Sequence, residues 1–562
     1  MEQNMDCQEA VYSNDFYDII LNQSDVVDLE DICSQYVANR YVIYYLNRAL
    51  VPPLSVGTYK YINIPRCYTI LDQTALESSG ITKVQNQRNL RLKGDGILIG
   101  FLDTGIQYEN SVFRNTDGSS RIVAIWDQSL RSDRPPEGFL YGTEYTKEEI
   151  DYALRQENPR DYVRQTDDNG HGTKLAAIAA GSEDAANDFI GAAPYADIAV
   201  VKLKPAKEYL RDFYYIRKDA VAYQENDIFT ALDYLNQLAD KRKQPLVICF
   251  GLGTNQGDRG DSSRIASYLD DIASLYGRAV CIAVGSEANA RHHFYGNVNE
   301  NMSERVEINV TEDMRGFTAE LWGRFSELFA VSVISPTGEV LPRVPVWNGQ
   351  QARQNFLLEN TTVVVDYQLG STRSREQLIH MDFQNPSRGI WVVEVFPYRI
   401  TDGNYHIYLP ISDFLEQEVY FIRSNPDTTL TIPSSAEFPM AVAGYNAITG
   451  GVYIESGRGY SVDGSIKPDY AAPAVNVFTQ NQFGQFDTVT GTSAAAAIAA
   501  GTCALLMEWN ISFMNNPIVN SIELRNQIIN GTQRIQNQLY PNREEGYGRL
   551  DIYQSILNMR NL

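Results

Sequence analysis

Four near-continuous apolar runs constrain this chain most. They are Gly96-Ile97-Leu98-Ile99-Gly100-Phe101-Leu102, Ala196 to Lys202, Pro245 to Phe250 and Ala279 to Val284. A strand with one wet face alternates apolar and polar residues. A strand buried on both faces reads as a continuous apolar run, and such strands belong to parallel sheets covered by helices. Between these runs, Asp227 to Arg242 places apolar residues at helical spacing. Residues 74–302 are therefore expected to be α/β.

The pattern changes at about residue 303. Phe329 to Ile334, Thr362 to Tyr367 and Trp391 to Phe396 are β-branched or alternating. Turn signals separate them at Pro336-Thr337-Gly338, Asn385-Pro386-Ser387-Arg388-Gly389 and Asp402-Gly403-Asn404. This spacing predicts an antiparallel sandwich or jelly roll over 303–425. Residues 426–562 return to α/β, with helices expected over Ser493 to Trp509 and Ser521 to Asn530. Ahead of all this, residues 1–73 form a small unit. Tyr41 to Leu46 and Tyr59 to Ile64 read as strands, and Val26 to Tyr36 as a helix. At 562 residues the chain exceeds what one core usually fills, so several modules are expected.

The net charge of −23 argues against a nucleic-acid groove. The six cysteines are scattered with no CxxC pair. Cys249, Cys281 and Cys503 sit in apolar runs and read as buried thiols. A reducing compartment without disulfides is the expectation. Met1 to Asp6 carries neither a basic region nor an apolar stretch, so no signal peptide is expected. No run is read as a membrane span. The pairs Glu148-Glu149 and Asp270-Asp271 read as solvated helix faces, and no metal or cofactor site is assigned.

Three short segments carry the chemistry. Gly100-Phe101-Leu102-Asp103-Thr104-Gly105 ends an apolar strand on a carboxylate. Ligands of open α/β sheets gather at that end of the strands. Asn169-Gly170-His171-Gly172-Thr173 sets one of five histidines between glycines, followed by the helical run Thr173 to Gly181. Gly491-Thr492-Ser493-Ala494-Ala495 opens an alanine-rich helix with a serine. A serine hydroxyl is a weak nucleophile until an imidazole takes its proton, and a carboxylate must orient that imidazole. A helix N-terminus supplies N–H donors for a developing oxyanion.

The order Asp, His, Ser with these surroundings resembles the subtilases, the subtilisin-like serine proteases. Gly191-Ala192-Ala193-Pro194 and Gly251-Leu252-Gly253 add to the likeness. The resemblance implies a three-layer α/β fold around a parallel sheet. It implies that Asp103 orients the base, His171 is the general base and acid, and Ser493 is the nucleophile. Gly251, Leu252 and Gly253 would bind an extended protein or peptide substrate by strand addition. Two positions depart from the family pattern. Ser286 stands where an asparagine side chain completes the oxyanion hole, beside the backbone N–H of Ser493; Asn289 lies three residues on. Ala497 replaces a proline after the serine.

Within that family the layout resembles the Csp germination proteases of spore-forming bacteria. The likeness rests on the short leading unit, the long β insert and Ala288-Asn289-Ala290-Arg291-His292-His293. It implies that residues 1–73 are an α+β propeptide, cleaved yet retained in the active-site cleft, with a jelly roll over 303–425 packed on the protease. It further implies limited proteolysis of a zymogen such as a spore-cortex hydrolase precursor, and a cytoplasmic or spore-associated site of action. The expected self-cleavage lies about 30 residues before Asp103, at Gln73-Thr74. The rival reading is a protease-like signalling or scaffold protein with little turnover, since that group also contains pseudoproteases.

Overall fold

The computed structural model describes residues 7–25, 32–38, 40–70, 77–87, 89–260, 263–324, 326–369 and 376–560. Its centre is an eight-stranded sheet. From one edge to the other the strands are Tyr470–Pro473, Met440–Tyr445, Arg278–Ala283, Leu246–Phe250, Leu98–Asp103, Asp197–Lys202, Ile122–Asp127 and Thr143–Thr146. All neighbours pair in parallel except the last, which closes the edge antiparallel. The four apolar runs are four adjacent strands of this sheet. Successive side chains point to opposite faces, and both faces are covered. Ile99, Phe101, Val247 and Cys249 pack against the helices His171–Ala180 and Thr492–Ser512. Leu98, Leu102, Ile248 and Phe250 pack against Glu225–Arg242 and Arg264–Ser274.

Thr492–Ser512 is long and apolar enough to cross a membrane, which corrects the expectation that no run reaches that length. Its most apolar window is 89% buried in the protein. The apolar surface of this helix is consumed by the sheet and its neighbours, as in the core helix of a large domain.

The first unit contains the helix Cys7–Tyr12 and three antiparallel strands, in the order Phe16–Asn22, Tyr41–Asn47, Ser34–Val37. Its apolar side, including Ile20, Tyr41, Ile43 and Tyr45, packs on the two helices of the second face. Three expectations are corrected here. Ser34–Val37 is a strand, because Tyr41–Tyr44 supplies its ladder partners; residues 26–31 lie outside the described region. Tyr59 to Ile64 is not a strand. Tyr61–Asn63 forms a short 3₁₀ turn, with the Tyr61 N–H held by Gln368 and its hydroxyl bonded to Glu320. Cys7 and Cys33 form a disulfide across Cα atoms 5.4 Å apart, against the expectation of none. The other four cysteines are free and buried.

A buried charge fixes this unit to the sheet domain. Asp18 is fully buried and accepts from Lys207 Nζ at 2.6 Å, Gln224 Nε2 at 2.6 Å and Asn226 Nδ2 at 3.1 Å. Burying a carboxylate is tolerable only with such partners.

Between the sheet strands Arg278–Ala283 and Met440–Tyr445, the chain builds two antiparallel sheets, of six and five strands. Their inner faces share one core that includes Phe317, Leu321, Met381, Val331, Trp391 and Val393. The six-stranded sheet begins at His293–Asn297, earlier than the sequence pattern indicated. This strand pairs with Asn404–Tyr408, a partner over a hundred residues away that local pattern does not reveal.

Candidate functional site

Asp103 is the last residue of its strand and is buried. Thr104 N–H donates to its Oδ1 at 2.7 Å. His171 is the first residue of its helix, reached through Gly170 at φ 88°. That left-handed backbone suits glycine. The imidazole Nδ1 lies 2.8 and 2.9 Å from the two Asp103 carboxylate oxygens, and Nε2 lies 3.1 Å from Ser493 Oγ. The three residues are separated by up to 390 positions in sequence, yet they form one continuous hydrogen-bonded line. Ser493 sits in the first turn of Thr492–Ser512, where backbone N–H groups have no partner within the helix. The line can carry a proton from Ser493 Oγ to His171 Nε2, with the carboxylate stabilising the imidazolium that forms.

Sequence reasoning missed the residues that hold this line in place. Asp167 is buried between the two segments. Its Oδ1 accepts from Thr104 Oγ1 at 2.7 Å and Gly170 N–H at 2.8 Å. Its Oδ2 accepts from Thr173 N–H at 2.9 Å and Thr173 Oγ1 at 2.6 Å. Thr104 Oγ1 in turn accepts from Gly172 N–H at 3.0 Å. Asp167 thus ties the turn after Asp103 to the start of the histidine helix. The only sequence sign was an acidic residue in the turn before His171.

Gly251 explains how a peptide could reach the site. A Cβ there would stand 3.3 Å from Ser493 Cβ and 3.4 Å from His171 Cε1. Its successor Leu252–Gly253 is a strand with a partner already present. Cys67–Ile70 pairs antiparallel with it, Leu252 opposite Ile70 and Gly253 opposite Thr69. On its other edge, Cys67–Tyr68 pairs with Tyr223–Gln224. The end of the first unit therefore lies as an added strand on Leu252–Gly253, the segment that continues from Gly251. Gln73 and Thr74 fall outside the described residues.

Ser286 lies on the loop after Arg278–Ala283. Gly285 N–H donates to Thr492 Oγ1 at 3.2 Å, so this loop abuts the start of the serine helix. Ser286 Oγ is buried and has no hydrogen-bond partner among the described residues. Asn289, the other side chain considered, is exposed. Among the described residues no group of three or more His, Cys, Asp or Glu could hold a metal. Glu149 instead caps its own helix through Thr146, and Asp270 accepts from Phe438 N–H at 2.8 Å.

The chain is 23% identical over 544 residues to the subtilisin-like protease SBT3.5 of Arabidopsis thaliana. The match covers 80% of this chain and 61% of the length of that relative. Among solved structures it is similar to the Clostridium perfringens CspB protease, with a TM-score of 0.77 and 28% identity, covering 86% of this chain and 97% of that one. The model of the Subtilase family matches residues 94–317 and 401–548. Those segments hold Asp103, His171 and Ser493 and leave out most of the two antiparallel sheets. The α/β fold around a largely parallel sheet is that of subtilisin, and the chain belongs to the subtilase family.

Proposed function

We propose that the chain is a serine endopeptidase that cleaves peptide bonds through Asp103, His171 and Ser493. The observation that carries this reading is the hydrogen-bonded line through His171, set beside a strand that already pairs with an extended peptide segment. His171 Nε2 takes the proton of Ser493 Oγ as the oxygen attacks the peptide carbonyl. The tetrahedral oxyanion is met by the Ser493 N–H and the free hydroxyl of Ser286. His171 then passes its proton to the leaving amine. A water, deprotonated by the same nitrogen, releases the acyl group. Asp103 keeps Nδ1 protonated throughout.

Residues 1–73 act in this reading as a propeptide that the enzyme cuts itself at Gln73-Thr74 and then retains. Its support is the strand Cys67–Ile70 lying where a substrate would pair. The two-sheet region is read as the jelly-roll insert. The resemblance to the Csp group favours limited proteolysis of a protein zymogen, such as a spore-cortex hydrolase precursor, by a cytoplasmic or spore-associated enzyme. A second reading has one observation behind it. Ser286 replaces the longer asparagine side chain, which favours a protease-like signalling protein with little turnover.

Fluorophosphonate labelling and intact-mass measurement of the native chain beside Ser493→Ala test these readings. Labelling lost in Ser493→Ala, with a native mass showing cleavage between residues 70 and 78, supports the self-processing endopeptidase. An unlabelled, full-length native chain refutes it and favours the second reading.

A further inference from the structure

Glu287 follows Ser286 directly, and the residue is only 8% exposed. Its carboxylate binds the far end of its own loop at His292 and two residues remote in sequence, Asn255 and Ser412. Its Oε2 accepts from His292 Nδ1 at 2.6 Å and from Asn255 Nδ2 at 3.0 Å. Its Oε1 accepts from the Ser412 N–H at 3.2 Å and Ser412 Oγ at 3.1 Å. Asn255 stands two residues beyond the strand Leu252–Gly253, and its own carbonyl oxygen Oδ1 accepts from Arg259 Nη2 at 2.8 Å. Ser412 lies in the antiparallel region, between the strands Asn404–Tyr408 and Val419–Phe421. His292 immediately precedes the first strand of that region, and its carbonyl accepts from Leu409 N–H at 2.9 Å.

The backbone of this loop is separately pinned to the sheet domain. Val284 C=O accepts from Thr431 N–H at 2.9 Å, and Gly285 C=O from Gly457 N–H at 2.8 Å. Glu287 adds the link to the inserted sheets. With four donors on two oxygens, the carboxylate has no lone pair free to face a substrate.

We propose that Glu287 is a positioning residue. Through it the inserted β sheets and the peptide-binding strand together set where Ser286 stands relative to Ser493. This rests on the endopeptidase reading and assigns the insert a part in catalysis: it holds one wall of the oxyanion site. Ser286 has a shorter reach than asparagine, so the position of its backbone matters more. A hydroxyl displaced by half an ångström or so leaves hydrogen-bond range of a developing oxyanion.

The test uses the full chain with Glu287→Gln, Ser412→Ala and Ser493→Ala. Glu287→Gln keeps the shape but sets an amide NH₂ against donors. Hydrolysis of a peptidyl p-nitroanilide and the rate of fluorophosphonate labelling are measured, because the phosphoryl oxygen of that probe occupies the oxyanion position once bonded to serine. The expected result is a kcat lowered about 10- to 100-fold, the upper end being the cost of a misplacement of about 1 Å. The labelling rate falls by the same factor, with KM unchanged within about twofold, the pattern of an interaction made in the transition state. Ser412→Ala, at an exposed position that any fold should tolerate, lowers both by about threefold, as expected for one weakened hydrogen bond. A raised KM at unchanged kcat overturns the proposal, and so do native rates in both variants. A native chain as inert as Ser493→Ala overturns the endopeptidase reading and this proposal with it. An active native chain with unaltered variants overturns this proposal alone.

Discussion

Gly172→Ala should slow the enzyme severely although alanine is the better helix former. Gly172 is the second residue of the histidine helix. Judged by propensity alone, alanine there would add about 1 kcal/mol of stability. The tertiary structure reverses the sign. A Cβ at this position would lie 2.2 Å from the Gly105 carbonyl oxygen and 3.0 Å from Asp103 Cβ. Neither partner is the flexible end of a side chain; one is backbone and the other is at the root of Asp103. To bring 2.2 Å up to the 3.0 Å that real contacts tolerate, the two segments must part by 0.8 Å. That opening acts between the helix start carrying His171 and the strand end carrying Asp103. A hydrogen bond of 2.8 Å stretched by the same amount exceeds 3.5 Å and is lost. A displacement near 1 Å costs about 100-fold in rate, or about 2.7 kcal/mol of barrier. Crowding a packed site also costs about 1–3 kcal/mol of stability. Fluorophosphonate labelling rate and thermal unfolding are the assays, with Gly451→Ala as a control. The nearest atom to a Cβ there is 3.4 Å away and the backbone is unstrained, so this control should match the native chain. Labelling of Gly172→Ala within about threefold of native, at an unchanged melting temperature, would refute the reasoning.

Asp103→Asn should lower kcat by about 10⁴, because an amide facing Nδ1 favours the wrong imidazole tautomer; single-turnover acylation measures it. Asp18→Ala strands Lys207 as a buried cation. It should cost about 3–5 kcal/mol in denaturant unfolding, with part of the loss recovered in Asp18→Ala/Lys207→Met. His380 sits buried beside Tyr61 and Phe213, where desolvation pushes its pKa down to about 4. Below about pH 6.5 the unfolded chain takes a proton there that the folded chain refuses until about pH 4, so stability falls as pH falls through that window. The loss at pH 4.5 should be about 2.4 kcal/mol relative to pH 7. In His380→Leu the urea midpoint should depend less on pH across that window; an identical dependence would exclude the histidine as its source.

Much of the sheet domain was legible because its strands are buried on both faces. Leu98–Asp103 and Leu246–Phe250 announce themselves by composition, whatever their neighbours. The trio proposed as catalytic was legible for a related reason. Each of Asp103, His171 and Ser493 sits among small residues, since backbone must approach backbone there. In the first unit Tyr41 to Leu46 was read correctly as a strand, but two other short elements were misread because their conformation is imposed from outside. Tyr61 takes a 3₁₀ turn under the grip of Gln368 and Glu320, more than 250 residues away, and Ser34–Val37 is a strand because Tyr41–Tyr44 offers it a ladder. The Cys7–Cys33 bond likewise depends on a proximity that spacing does not encode.

The amino-acid sequence by itself determined the α/β class, the family and the order of the residues proposed as catalytic. Those properties reside in local composition: apolar runs, flanking glycines and an alanine-rich helix start. Tertiary structure alone decided how the site is held. Asp167 clamps the histidine segment to the aspartate turn, Cys67–Ile70 pairs along Leu252–Gly253, and Glu287 joins the Ser286 loop to the inserted sheets. Each brings together at least one pair of polar groups remote in sequence. A buried hydrogen bond depends on distances of a few tenths of an ångström, and only the packed chain sets those.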